Sequence, residues 1–417
     1  MISLDEARAR VRAALPDPAA RVVTVPRADA LGAVLAADVV STEQVPPFAN
    51  TAMDGYAVQA ADTNGASDET PVRLAVVGEL AAGAAPTTPV GAGEAIRIMT
   101  GAPVPDGADA IVMVERTTRD GGDGVLVSAE ARSGDHVRPA GGDVQPGDVV
   151  FSAGTVLRPA HLGVLASLDL DQVAVVAPVR VAVLSTGDEL VERGRLAPGQ
   201  IRDANRPMLS ALVREAGCIA VDLGIARDDE ALIRSRIAEA VDTCDALLTS
   251  GAVSVGDYDF VKVAMEALVA ERGGEYQWQQ VAIKPAKPLA FGVVCARDGR
   301  SVPVFGLPGN PVSSHVSFEL FARPALRAMA GHRDTAERPV VRARAGERLA
   351  RRPDGKLHLD RVWVAVTPGG VLEARRSGFQ ASNVLSGMAN ANALALIPDG
   401  EGVAEGDELE LMLLSDF

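Results

Sequence analysis

Aromatic residues are scarce in this 417-residue chain, at 3%, so Val, Leu, Ile and Ala must build its cores. Cysteine is scarcer still: Cys218, Cys244 and Cys295 are isolated and odd in number. That argues against a disulfide framework or a CxxC metal site and points to a reducing compartment. Positive charge is in deficit, with a formal net charge of −15. A broad nucleic-acid surface needs clustered Lys and Arg to neutralise phosphates, so no nucleic-acid partner is expected. A small anion is a different case, because it responds to the local field rather than to net charge. Long hydrophobic runs are missing too. The most apolar stretch, Leu162 to Leu184, is broken by Asp169, Asp171 and Arg180, which does not suit a bilayer span. The opening Ser3-Leu4-Asp5-Glu6 lacks the apolar core of a signal peptide. A cytoplasmic protein free of membrane is expected on these grounds. There is no G-x-G-x-x-G, no Walker A and no H-E-x-x-H, and the five histidines are scattered and read as structural or surface residues.

What is present reads as an ordinary globular composition, 47% hydrophobic and 23% charged, at a length for two to four domains. Ser3 and Glu6 form a capping-box pattern ahead of Leu4, Ala7, Val11 and Ala14 at helical spacing, predicting a helix that stops before Pro16. Short β-rich runs at Val72–Val77, Ala95–Met99, Ala110–Val114 and Val125–Val127 predict a small β domain. From Val179 the rhythm changes. Val179–Leu184, Ile219–Leu223, Ala246–Leu248 and Val302–Phe305 alternate with helical stretches at Asn205–Gly217, Asp229–Val241, Tyr258–Glu271 and from Asn310. That alternation predicts an α/β fold, a doubly wound, mostly parallel sheet with helices on both faces. Pro324 should kink or end the last helix. Short strands at Val340–Ala343, Leu357–Leu359, Val362–Val366, Ala393–Ile397 and Glu408–Leu414 then predict an all-β, barrel-like C-terminal domain. The resulting division is 1–45 with 144–178 as an extended linker domain, 46–143 β, 179–330 α/β and 331–417 β.

Ligands of open α/β sheets bind beyond the carboxyl ends of the strands. Three polar turns fall at those ends: Ser185-Thr186-Gly187-Asp188-Glu189, the turn from Ser250 and Gly251 through Ser254 to Asp257 and Asp259, and Gly306 through Gly309-Asn310-Pro311. Glycine lets backbone approach a ligand, and the free N–H groups of a helix start favour an anion. Paired carboxylates in such turns serve either as caps or as oxygen ligands of a hard cation. Lys284-Pro285-Ala286-Lys287-Pro288 follows. Pro biases the preceding lysine to extended backbone, and a polyproline segment would put both ammonium groups on one side, about 9 Å apart, as an anion clamp. Ala252-Val253-Ser254-Val255-Gly256 is one residue short of a nucleophile elbow, so a serine hydrolase is a weak competing reading.

Taken in order, Pro46 through Asp54-Gly55-Tyr56-Ala57, Arg97-Ile98-Met99-Thr100-Gly101-Ala102, Ser185–Leu190, Ser250–Asp259, Lys284–Pro288 and Gly306–Pro311 make the chain resemble the molybdopterin molybdenumtransferases, the family that includes the E domain of gephyrin. The resemblance covers nearly the whole chain. It implies a transferase of molybdenum cofactor biosynthesis that takes adenylylated molybdopterin and molybdate, cleaves the phosphoanhydride and releases AMP with Mg2+ assisting. It also implies an elongated homodimer whose cleft joins the α/β domain of one subunit to the β domain of the other, with transient contact to a molybdopterin adenylyltransferase. Carried over residue by residue, Asp54, Thr100, Glu189, Asp259, Lys284 and Lys287 match catalytic positions. Asp143, Ser185, Thr186, Ser250, Gly251, Ser254, Gly309, Asn310, Pro311, Arg361 and Ser382 match substrate-binding positions, and Asp228 and Asp259 metal positions. Ala252 and Ala286 stand where the family commonly has Gly, Thr51 where it has Ser, and Gln280 where some bacterial relatives have Lys. An alanine there requires negative φ or backbone strain. The alternatives are a molybdopterin adenylyltransferase, which shares the central module, and a gephyrin-like scaffold.

Overall fold

The computed structural model describes residues 1–18, 21–251, 260–332 and 336–415. The chain folds as two compact units, Met1–Val25 with Gly32–Ala36 and Ala174–Phe417, and Pro26–Leu31 with Ala37–Val173.

The second unit is built on a six-stranded sheet ordered Ala110–Met113, Gly55–Val58, Glu94–Ile98, Val72–Leu80, Gly124–Val127, Thr117–Arg119. Side chains alternate across it, as the pleat requires. Tyr56 and Val58 enter one core with Ala95 and Val112, while Ala57 enters another with Ile96, Ile98 and Ile111.

The first unit opens with the helix Leu4–Ala13, whose N-cap Ser3 accepts from the Glu6 N–H. Only half of the predicted capping box forms, because the Glu6 carboxylate turns to Arg10 one turn on. The central sheet runs Ile219–Ala226, Arg180–Thr186, Ala246–Ser250, Ser301–Leu307, Pro288–Cys295, Gly274–Gln280. Its first four strands are parallel, and the last two join as an antiparallel hairpin. Burial on both faces explains the near-continuous apolar runs. Val181 and Val183 pack with Leu209 and Val213 of the helix Asn205–Glu215. Ala182 and Leu184 point the other way, onto Ile233 and Ile237 of Glu230–Thr243 and Ala264 and Met265 of Phe260–Arg272.

Pro324 does not end the last helix. Pro311–Ser317 continues through a π-helical turn, Phe318–Ala322, into Arg323–Met329, where Pro324 sits in the first turn. Proline offers no N–H to the carbonyl one α-turn back, and a local change of helical pitch is one way to absorb that. Beyond it, Leu357–Val366, Leu372–Arg376, Val340–Ala345, Glu408–Leu413 and Ala393–Ile397 pair in that order, and the last pairs back to the first. The result is a closed five-stranded barrel in which Leu357–Val366 is a single strand, not the two expected. Ile283–Lys284 adds to it in parallel at Leu357 and His358.

Where the helix Arg323–Met329 ends, His332 is buried, and its Nδ1 takes a hydrogen bond from Arg327 at 3.2 Å. Burial pushes its pKa down to about 4, with Arg327 and Arg323 adding to the shift. The unfolded chain takes up this proton near 6.5, so between the two values it holds more protons than the fold. Stability is therefore full above about pH 6.5 and falls by on the order of 3 kcal/mol as pH drops to 4. Urea midpoints across that window should show the slope, and His332→Gln should remove most of it. His315 and His358, also pushed down by burial, leave a remainder. An unchanged slope in the variant contradicts the assignment.

Candidate functional site

Parallel strands end on one edge, and three of them bring together the turn after Ser185 and Thr186, the first two residues of the second turn, Ser250 and Gly251, and the turn Gly306–Pro311. Gly251 has φ +103°, and a Cβ there would lie 2.7 Å from the Thr186 carbonyl oxygen, so only glycine lets these two turns touch. A Cβ on Gly309 would come 3.6 Å from the Gly251 Cα, which places the third turn alongside. Asn205, the first residue of its helix, fastens them: its Nδ2 donates to the Ser250 Oγ and to the Gly309 carbonyl, both at 2.7 Å. A carbonyl can only accept, so the amide nitrogen is fixed at that end and the Ser250 oxygen is an acceptor there. The Ser250 O–H is thus left to donate elsewhere. Ser185 is the reverse case, since its hydroxyl donates to Asp203 at 3.1 Å. Asp203 is in turn locked to the Arg206 Nε at 3.0 Å. The Thr186 hydroxyl reaches the Ser250 carbonyl at 3.5 Å. Asn310 stands at the N-cap and Pro311 in the first turn, but the Asn310 side chain makes no capping bond.

Against the start of the helix that follows the third turn, at Ser313, lies a cavity of about 950 Å³. One wall is Lys284–Pro288 with Ser313, the other the barrel residues Arg351, Arg352, Lys356, His358, Asp360 and Arg376 and the loop Gly378–Ser382. Six Lys and Arg side chains face two carboxylates there, a local reversal of the chain's acidity. The carboxylates are already engaged. Asp354 accepts from Arg351 and Lys356 at 2.8 Å and from His358 at 3.2 Å, and the hydrogen bond from Lys356 leads in holding it well below the usual carboxylate range. Asp360 takes Arg376 at 2.7 Å. Burial pushes His358 down, so it is the neutral member of the set. Lys284, Lys287 and Arg352 have neither ion pair nor side-chain hydrogen bond among the described residues, which leaves three cations for an incoming anion.

The lysines do meet, though not through a polyproline helix. Ala286 has φ +71°, outside the polyproline region, and Lys284 belongs to a strand pair with the barrel. A left-handed alanine costs about 1–2 kcal/mol, which its buried methyl offsets in part, at about 0.8 kcal/mol. The strain sits within the cavity wall itself, where function concentrates it. Arg361 does not face the cavity. It is 1% exposed, and its guanidinium donates to the carbonyls of Phe379 and Ala381. It holds the loop carrying Ser382, which does line the cavity and whose carbonyl accepts from the Val312 N–H at 3.1 Å.

Glu189 is exposed, with its carboxylate folded against Gly187. Asp228 follows the neighbouring strand, and its N–H donates to Asp188 at 3.3 Å. These are hard oxygen donors at adjacent strand ends, of the type a divalent cation takes. No group of three His, Cys, Asp or Glu converges among the described residues. Asp259, Ser254, Asp257 and Ala252 lie outside the described residues. In the other unit, Asp54 accepts from both the N–H and the hydroxyl of Thr100, each at 2.7 Å, and those two bonds lower its pKa. Asp143 is exposed there, with its N–H bonded to the Val45 carbonyl. Asn205, Ser313 and the barrel cations were not found by motif.

Three family models match. "MoeA N-terminal region (domain I and II)" covers residues 2–168, "Probable molybdopterin binding domain" 182–328, and "MoeA C-terminal region (domain IV)" 342–414. Molybdopterin molybdenumtransferase 2 of Mycobacterium tuberculosis is 42% identical over 94% of this chain and 95% of its own. Molybdopterin molybdenumtransferase of Haemophilus influenzae is 34% identical over 98% and 97%. The crystal structure of the molybdopterin biosynthesis MoeA protein from Pyrococcus horikoshii superposes with a TM-score of 0.82 at 28% identity, covering 99% of this chain and all of that one. No described helix is long and apolar enough to cross a membrane.

Proposed function

The chain belongs to the molybdopterin molybdenumtransferase family and is an enzyme of molybdenum cofactor biosynthesis; from that premise we propose that it inserts molybdate into adenylylated molybdopterin and releases AMP. The observation that carries this reading is the cavity with three cations uncommitted among the described residues, joined through Val312 and Ser313 to the helix that follows the third turn. Cleaving a phosphoanhydride is largely positioning and charge neutralisation. In this reading Ser250, Gly251 and the Gly309–Pro311 turn hold phosphate oxygens, with the Ser250 hydroxyl donating. Lys284, Lys287 and Ser382 receive the tetrahedral dianion molybdate next to the dithiolene sulfurs. Arg361 positions the Ser382 loop, and Glu189 lies at the phosphate end. Asp228 and Asp259 would hold a divalent cation, which supplies neutralisation of the phosphate charge when bound. Asp54 and Thr100 complete the site from the partner of a homodimer, and the enzyme works in the cytoplasm, receiving its substrate from a molybdopterin adenylyltransferase.

The test is to mix purified protein with adenylylated molybdopterin, Mg2+ and molybdate, then follow AMP by chromatography and metal on the pterin. Both should appear together. AMP without metal transfer, or neither product, contradicts the reading.

A further inference from the structure

Phe379 is 76% exposed, the most exposed large hydrophobic residue among those described, in a chain with few aromatics. A single exposed apolar side chain is ordinary. Two features set this one apart. It lines the cationic cavity, so it stands on the rim of a site for anions. Its backbone is also held with unusual care. The buried Arg361 guanidinium donates to the Phe379 carbonyl at 2.7 Å and to the Ala381 carbonyl at 3.1 Å. Gln380 bridges the Arg361 backbone, accepting from its N–H at 2.8 Å and donating to its carbonyl at 3.0 Å. Gly378, at φ +128°, supplies a turn that a side chain would resist. Burying an arginine is costly unless its donors are satisfied; here both terminal nitrogens go to carbonyls at and just beyond the exposed ring, while Nε has no partner among the described residues.

We propose that Phe379 is a stacking platform, held by Arg361, for the planar ring of a heteroaromatic anion whose side chain runs from the ring past Lys284 and Lys287 toward the phosphate turns. The proposal rests on the reading that the cavity takes a pterin-bearing anion, and it names the residue that reads the ring. An aromatic face stacks on such rings and is sensitive to truncation, at about fivefold to a hundredfold in affinity. The oxyanion alone, having no ring, should not depend on it.

The test measures pterin-6-carboxylate and molybdate binding by calorimetry for wild type, Phe379→Ala, Phe379→Leu and Phe379→Trp, with sedimentation of each. Phe379→Ala and Phe379→Leu should weaken the pterin about tenfold, Phe379→Trp should retain it, and molybdate affinity should stay the same throughout. Equal pterin binding by the alanine variant overturns the proposal. So does a leucine variant that binds like wild type, since a face would then be unnecessary. A parallel loss of molybdate affinity shows loop damage, and a change in sedimentation at constant affinity shows a contact between copies; either overturns it. Wild type that binds molybdate but not the pterin refutes the stacking role alone, whereas wild type that binds neither refutes the reading of the cavity as well.

Discussion

Replacing Lys284 and Lys287 together by alanine is expected to lower molybdate-dependent AMP release by about a hundredfold to ten-thousandfold, at two charged hydrogen bonds of about 1.5–3 kcal/mol each. The structure explains why neighbours do not compensate. Arg351, Lys356 and Arg376 line the same cavity but are bonded to Asp354 and Asp360, so recruiting Arg376 strands Asp360, and recruiting Arg351 or Lys356 takes one of the three groups that hold Asp354. Arg352 alone is uncommitted among the described residues, and one cation does not replace two. Folding should be nearly untouched. Both lysines are exposed and without partners among the described residues, and such surface changes are usually within about 0.5 kcal/mol. Single-turnover AMP formation read beside urea midpoints separates the two effects. A double variant with wild-type turnover, or one whose loss follows its unfolding, removes the lysines from the site.

How much of this could be read from the chain follows from what each feature depends on. The four parallel strands were legible because burial on both faces writes uninterrupted apolar runs, and the turns at their ends were legible because glycine and hydroxyls punctuate them. The hairpin Gly274–Gln280 with Pro288–Cys295 was missed. Glu275-Tyr276-Gln277-Trp278-Gln279 is a polar edge with no sharp turn signal, and the proline-bound lysines lie in the connection. The barrel half of the cavity was invisible for another reason. Arg351, Lys356 and Arg376 form no motif, and strand closure brings them to Lys284 across some seventy to ninety residues of sequence. Arg361 shows what a period of two would have revealed. Asp360 lies on the same face of its strand as Val362 and Val364 of the barrel core, so Arg361 lies on the other face.

A loss of stability of about 3 kcal/mol or more is expected for Arg338→Met, because it strands a buried charge. Glu319 is wholly enclosed in the π-helical turn, with a side-chain exposure of 0%. Arg338 meets both of its oxygens, at 2.9 and 3.1 Å, the fork geometry that makes such pairs strong. Its other neighbours are weaker. Arg323 lies at 3.8 Å, beyond hydrogen-bond range. His315 is also at 3.8 Å and is kept neutral by burial. One distant cation therefore remains, which sets the cost toward the lower half of the usual range of about 3–5 kcal/mol. The pair itself contributes much less than its breakage costs, since two charges had to leave water. Arg338→Met combined with Glu319→Leu should accordingly unfold at a higher urea concentration than Arg338→Met alone. The same helix begins at Asn310 and carries Ser313 into the cavity, so activity per folded molecule should hold while the folded fraction falls. A single variant within 1 kcal/mol of wild type, where about 3 is expected, would mean that Glu319 becomes protonated or hydrated when its arginine is gone.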